Sequence, residues 1–232
     1  MGLIVGAISW LLYVALEPYV RRRWPRSLIS WTRLLAGQTQ DPVVGCDLLV
    51  GVLAGVFLAV EGRVDGLALG WMGKLPDAPD LALAYESLLG LRRMASVFML
   101  NVAAFVFVSL GYFFIFFLLR LVLRKQWLAV LATLLIVSVP SLFTTHPVLH
   151  VTVELIYWSI ALIVLIRFGL LAVMAALWTF SLLLAYPLTV HLSAWYAGPT
   201  FFALFVILAV AIFGFYTSTA GKPLLGGMSL DA

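Results

Sequence analysis

The chain has 232 residues, of which 64% are hydrophobic and only 10% charged, and its mean hydropathy is +1.14. So few charges cannot cover the surface of a water-soluble domain of this length, which excludes an ordinary soluble fold. The net charge of +4 comes from basic residues beside apolar runs. That placement suits anionic lipid headgroups better than nucleic acid, and no nucleic-acid partner is expected.

The apolar residues occur in runs of about 20, the length of a membrane-spanning helix, and not in the alternating pattern of a barrel strand. The sequence therefore predicts an all-α, polytopic transmembrane helical bundle that forms a single domain over residues 1–232. We predict about seven spans (six to seven), at Leu3–Val20, Val43–Val60, Ala95–Leu119, Leu128–Thr145, Val151–Ile166, Phe168–Ala185 and Phe201–Ser218. The number depends on Arg167–Gly169, which is either a tight helical hairpin or part of one long helix with a re-entrant neighbour.

The first span lacks the basic leader and the cleavage site of a signal peptide. Four arginines follow it, Arg21, Arg22, Arg23 and Arg26. We predict that residues 21–42 form a basic cytoplasmic segment. Within it, Ser27–Leu35 combines apolar side chains with tryptophan and arginine, as an interfacial helix does.

The second span is predicted to begin at Asp41-Pro42, because aspartate caps open amides and proline is tolerated in the first helical turn. Gly51 and Gly55 within this span form a G-x-x-x-G pattern. Such glycines let two helices approach closely, within the chain or in a helix-mediated oligomer. The ordinary glycine content of a membrane helix explains the pattern equally well.

Residues 61–93 are predicted to be an outer loop, in which Asp80–Leu91 forms a short amphipathic helix, and residues 219–232 a short cytoplasmic tail. Alternating spans place ten of the 14 Lys and Arg residues on one side and four on the other. The positive-inside rule then predicts a multi-pass protein of the bacterial cytoplasmic (inner) membrane, with the N-terminus outside and the C-terminus inside.

Motifs of the major catalytic classes are absent from the sequence. It contains no Gly-rich kinase loop or catalytic-loop aspartate, no phosphate loop of the G-x-x-x-x-G-K-[ST] type, no G-x-S-x-G and no H-E-x-x-H. Little polar sequence remains in which such a site could lie. We therefore expect a chain that is not an enzyme and that carries no cofactor.

Several blocks of sequence resemble the C-terminal membrane module of bacterial, especially acidobacterial, serine/threonine protein kinases. The main block contains Leu-Glu-Pro-Tyr-Val-Arg-Arg-Arg-Trp-Pro-Arg at Leu16–Arg26, Ser27–Gly37 and Asp41–Gly45. Weaker similarity occurs at Arg120–Trp127 and Ala194–Pro199. The resemblance implies a kinase domain upstream in longer relatives, so this chain is either a separate product or a fragment of a longer one.

Two groups of polar residues are candidates for functional sites. Glu17 and Asp47 near the inner ends of the first two spans, with Asn101 in the third, could form an ion or proton path, since intramembrane carboxylates are costly. Structural pairing explains the carboxylates better. Glu17 is expected to pair with Arg21, and Asp47 with a nearby arginine, in a charge cluster that also includes Arg22, Arg23 and Arg26.

His146, His150 and Glu154 lie at i, i+4 and i+8, one face of a helix, and imidazole with carboxylate is a ligand set for a transition metal. A wet helix end with histidines facing headgroups is the favoured explanation, so these are weak metal candidates. The leading hypothesis is a non-catalytic membrane module that anchors a kinase supplied upstream or in trans. A small-solute or ion permease subunit is the alternative, and a membrane metal-binding protein the lesser one.

Overall fold

The computed structural model describes residues 24–73, 82–189, 191, 193–194 and 196–219, and of residues 25, 26, 65 and 82–84 the backbone alone. The predicted first span Leu3–Val20 lies outside these residues. So do Glu17, Arg21, Arg22 and Arg23 of the predicted charge cluster and nearly all of the predicted tail.

All regular structure in the described part of the chain is helical, as predicted. The helices are α1 (Ile29–Leu35), α2 (Pro42–Trp71), α3 (Ala82–Leu88), α4 (Leu91–Leu123), α5 (Gln126–Ser138), α6 (Pro147–Phe168), α7 (Leu170–Ala185) and α8 (Ala197–Ser218), with 3-10 turns at Pro25–Leu28 and Pro140–Phe143.

Five helical segments of the described residues are long and apolar enough to cross a membrane, namely α2, α4, Gln126–Phe143, α6 and α8. Helix α7 is apolar but has only 16 residues, a length of about 24 Å against a hydrocarbon core of about 30 Å. The length and composition of these helices are those of a multi-pass membrane protein, as predicted. The total of about seven spans stays a prediction.

The start of α2 is as predicted. The Asp41 carboxylate caps the helix by accepting a hydrogen bond from the Val43 amide at 2.9 Å, and Pro42 is the first helical residue. Arg33 of α1 donates to the same carboxylate at 2.7 Å. The Val43 amide and then the Arg33 guanidinium hold the pKa of Asp41 below its ordinary value. The predicted short helix before α2 is confirmed as α1.

Helix α2 is longer than the predicted span, because it continues through Glu61–Trp71, which was predicted as the beginning of the outer loop. Leu58 and Leu69 are both buried. They are separated by three helical turns and therefore share one face, so the apolar face of the helix persists among the polar residues. In the rest of the predicted outer loop, a short helix was predicted at Asp80–Leu91, and α3 is found there at Ala82–Leu88.

Helix α7 lies at the centre of the bundle. Thirteen of its residues are buried, and it contacts α2, α4 and α6. An apolar helix with no polar face is expected to be buried on all sides. Its connection to α6 is the tight hairpin, since only Gly169 separates the two helices, and Tyr157 of α6 packs on Phe180 of α7 with ring centroids 4.8 Å apart.

The G-x-x-x-G pattern forms the contact between α2 and α7. A Cβ atom added to Gly51 would lie 2.5 Å from the Ala175 Cβ and 2.6 Å from the Ala172 carbonyl oxygen. One added to Gly55 would collide with the Ala176 carbonyl. The two glycines therefore pack two helices of the same chain, and this contact is called the glycine seam below.

Candidate functional site

Of the predicted charge cluster, Asp47 is the one acidic member within the described residues. Its side chain is buried, with 6% of its surface exposed. Among the side chains that the structure describes, no Lys or Arg forms an ion pair with it. Arg21, Arg22 and Arg23 lie outside the described residues, and of Arg26 only the backbone is described, so the predicted arginine partner stays a prediction. The Ser30 side chain is placed to donate a hydrogen bond to the carboxylate. Arg33, the nearest arginine along α1 to Ser30, is engaged by Asp41.

Asn101 lies in α4 and faces α7. The Ser181 hydroxyl donates a hydrogen bond of 2.7 Å to the Asn101 side-chain oxygen, and both side chains are buried. A second polar contact joins the same helices, because the Tyr186 hydroxyl donates to the Met94 carbonyl at 3.0 Å. Asn101 thus joins two helices inside the bundle.

The three weak metal candidates lie along the beginning of α6. His146 is the residue before the helix, and its ring lies 6.4 Å from that of His150, centroid to centroid. The Oε2 atom of Glu154 is buried with no hydrogen-bond partner. Among the described residues no three His, Cys, Asp or Glu side chains are grouped closely enough to hold a metal ion. The three weak candidates are therefore not grouped as a metal-binding set there.

The structure brings to this region two residues that the sequence analysis did not single out, Glu61 and Tyr157. Tyr157 lies within electrostatic range of both Glu154 and Glu61, so residues of α2 and α6 form one group. We call Glu61, Glu154 and Tyr157 the α2–α6 polar cluster. The apolar face of α2 continues beyond Val60 to Leu69. This pattern in the sequence could have predicted that Glu61 lies in the helix and thus in this cluster.

A cleft of about 600 Å³ lies between the same two helices. Its walls are mainly apolar and come from Val64 and Met72 of α2 and from residues 145–156, among them His146 and Thr152. The α2–α6 polar cluster brings titratable side chains of two different helices together.

Comparison of the chain with protein-family models, with curated proteins and with solved structures finds no match.

Proposed function

We propose that the chain is a non-catalytic membrane module that anchors a serine/threonine kinase domain, supplied upstream or in trans, and conveys signals to it. In this proposal the N-terminus lies outside and the C-terminus inside the bacterial cytoplasmic membrane. The kinase assignment rests chiefly on the resemblance of Leu11–Val52 to such modules.

One structural observation supports a packing module over a transporter. Of the three residues considered for a solute path, the two that the structure describes are engaged in contacts between helices, Asn101 with Ser181 and Asp47 with Ser30. A transport group must exchange its partner for a solute, whereas buried polar groups that join helices must keep theirs.

The Asn101–Ser181 pair gives the test of this role. Alanine variants at each position and the double variant form a double-mutant cycle for unfolding in detergent. We expect a coupling free energy of about 0.6 kcal/mol, with an upper bound near 1.7 kcal/mol. Ser109→Ala on α4 is the matched control, because that hydroxyl is buried with no hydrogen-bond partner.

The same variants separate the module from a permease. A structural pair predicts that Asn101→Ala lowers stability and that proteoliposomes carry no solute flux beyond that of empty vesicles. Zero coupling, together with a flux that Asn101→Ala abolishes in folded protein, would contradict the proposal.

The α2–α6 polar cluster favours the permease as the second candidate function. A carboxylate of this cluster that carries protons would be essential for flux and dispensable for folding. Glu154→Gln should then abolish a proton-coupled flux in proteoliposomes while leaving thermal stability unchanged. If the lumen acidifies equally in vesicles that contain the wild-type protein and in vesicles that contain Glu154→Gln, the permease candidate is refuted.

The kinase role and the orientation need separate measurements. A photo-crosslinker at the exposed Gln38 should capture a serine/threonine kinase domain in native membranes, while an ATP photoprobe should not label the purified chain. In a Cys46→Ala background, a membrane-impermeant thiol reagent applied outside should reach a cysteine at Gly70 and not one at Gln38. The reverse pattern would invert the topology, and ATP labelling competed by unlabelled ATP would refute the non-catalytic assignment.

A further inference from the structure

A second cleft, unrelated to the α2–α6 polar cluster, lies at the end of α4. It has a volume of about 210 Å³, and its lining residues are Trp24, Phe117, Arg120, Leu121 and Arg124. Two guanidinium groups thus share a small cleft with an aromatic and apolar wall. We call it the arginine cleft.

The wall of the arginine cleft is held by packing against α4. The Trp24 ring stacks on Phe113 at a centroid distance of 6.0 Å and lies 5.7 Å from the Phe116 ring, and both phenylalanines are buried. The Arg120 guanidinium carbon lies 4.5 Å from the centre of the Trp24 ring, a cation–π contact. Stacking of this kind uses the face of the guanidinium and leaves the N–H donors in its plane available to an acceptor.

Within the part of the chain that the structure describes, neither Arg120 nor Arg124 has an Asp or Glu within 4.0 Å. A cation at a helix C-terminus is favourable in itself, which accounts for one arginine. It does not account for the second, Arg124, whose backbone has a left-handed conformation with φ of 56° that a residue with a Cβ adopts at a cost.

The position of the cleft along α4 fits the membrane surface. Helix α4 has 33 residues, a length of about 50 Å that exceeds a hydrocarbon core of about 30 Å. Its end therefore reaches the headgroup level, where tryptophan and arginine side chains are favoured. Basic pockets at this level, on the cytoplasmic side, bind phosphate-bearing lipid headgroups.

We propose that the arginine cleft binds the phosphate group of an anionic phospholipid from the surrounding bilayer. The N–H donors of Arg120 and Arg124 hold the phosphate oxygens through charge-assisted hydrogen bonds. Trp24, Phe117 and Leu121 contact the glycerol and the first methylene groups. This inference concerns lipid recognition by the folded bundle and is independent of whether the chain serves a kinase or a permease.

The test measures thermal unfolding of the full chain in a zwitterionic detergent during titration with phosphatidylglycerol or phosphatidylcholine. We expect saturable stabilisation by phosphatidylglycerol alone. Arg124→Asn should weaken the apparent affinity about tenfold, because asparagine tolerates the left-handed backbone but lacks the cation. Arg92→Gln is the matched control, since Arg92 is an exposed arginine at the opposite end of the same helix, and it should bind like the wild type.

Three outcomes would overturn the proposal. Equal stabilisation by the two lipids would remove the requirement for an anionic headgroup. Wild-type affinity in both Arg124→Asn and Arg120→Lys would show that the arginine cleft is not the binding site. Arg120→Lys is included because it retains a cation and a long side chain, and so can be measured even if a neutral variant fails to fold. The same stabilisation by inorganic phosphate without lipid would assign the site to a free phosphate instead of a bilayer lipid.

Discussion

Alanine at Gly51 or Gly55 tests whether the glycine seam holds α2 and α7 together. The added methyl group at Gly51 would lie 2.5 Å from the Ala175 Cβ, and that at Gly55 would lie 2.6 Å from the Thr179 Cβ. Carbon atoms in contact prefer about 3.5–4.0 Å. The two helices would thus have to separate by roughly 1 Å, or the backbones would have to bend.

The expected change in the free energy of unfolding has two opposing parts. Overpacking of this kind costs about 1–3 kcal/mol. Replacing glycine by alanine inside a helix stabilises it by about 0.5–1 kcal/mol. The atoms that the new methyl group of Gly51→Ala or Gly55→Ala would meet include backbone carbonyl oxygens, which cannot move as a flexible side chain can. We therefore expect a net loss of about 1–2 kcal/mol for either variant.

Gly66→Ala is the matched control, because Gly66 lies in the same helix and a Cβ atom there would meet nothing within 4 Å. This variant keeps the helical gain and lacks the collision, so it should be neutral or stabilising. Reversible unfolding in mixed micelles, followed by tryptophan fluorescence, measures all three variants. If Gly51→Ala and Gly55→Ala unfold at the same free energy as Gly66→Ala, the seam is not a close contact and the reasoning is wrong.

Two further predictions concern the turn at Gly169 and the helix cap at Asp41. Gly169→Ala should lower the free energy of unfolding by about 1–3 kcal/mol, because φ at Gly169 is +98° and a Cβ atom there would lie 2.7 Å from the Ser27 carbonyl oxygen. Gly111→Ala is the control and should not lower it, because a Cβ atom at Gly111 would meet nothing within 4 Å. Equal midpoints of thermal unfolding for the two variants would contradict this prediction. The pKa of Asp41 is lowered chiefly by the Val43 amide, so its contribution is complete above the ordinary value of 3.8 and is lost as the pH falls through the lower folded-state pKa. Stability measured from pH 5 to pH 2.5 should therefore fall less steeply for Asp41→Asn than for the wild type, and parallel curves would refute this.

The sequence predicts the helices because their signal is local. Runs of apolar residues set the cores of α2, α4, α6 and α8, and the Asp41-Pro42 pair marks the first turn of α2. The end of α2 was missed for a local reason as well. Charged and glycine residues after Val60 resemble a loop, although the buried Leu69 shows that one face of the helix stays apolar.

The partners of polar residues could not be predicted, because they come from distant parts of the chain. Asn101 and Ser181 are separated by 80 residues, and nothing near either one indicates the other. The expected pairing of Asp47 with an arginine of the charge cluster stays a prediction, because Arg21, Arg22 and Arg23 lie outside the described residues. In the folded chain, Arg33 is engaged by a closer carboxylate, that of Asp41, and Asp47 faces a serine.

The short length of α7 has a consequence for how the bundle responds to its surroundings. A helix of about 24 Å cannot span a hydrocarbon core of about 30 Å by itself, yet a helix enclosed by its neighbours need not match the bilayer. Its contacts with α2 through the glycine seam and with α4 through Asn101 and Ser181 fix its position. A force on either neighbouring helix therefore acts on α7, and α7 continues through Gly169 into α6 and so to the α2–α6 polar cluster.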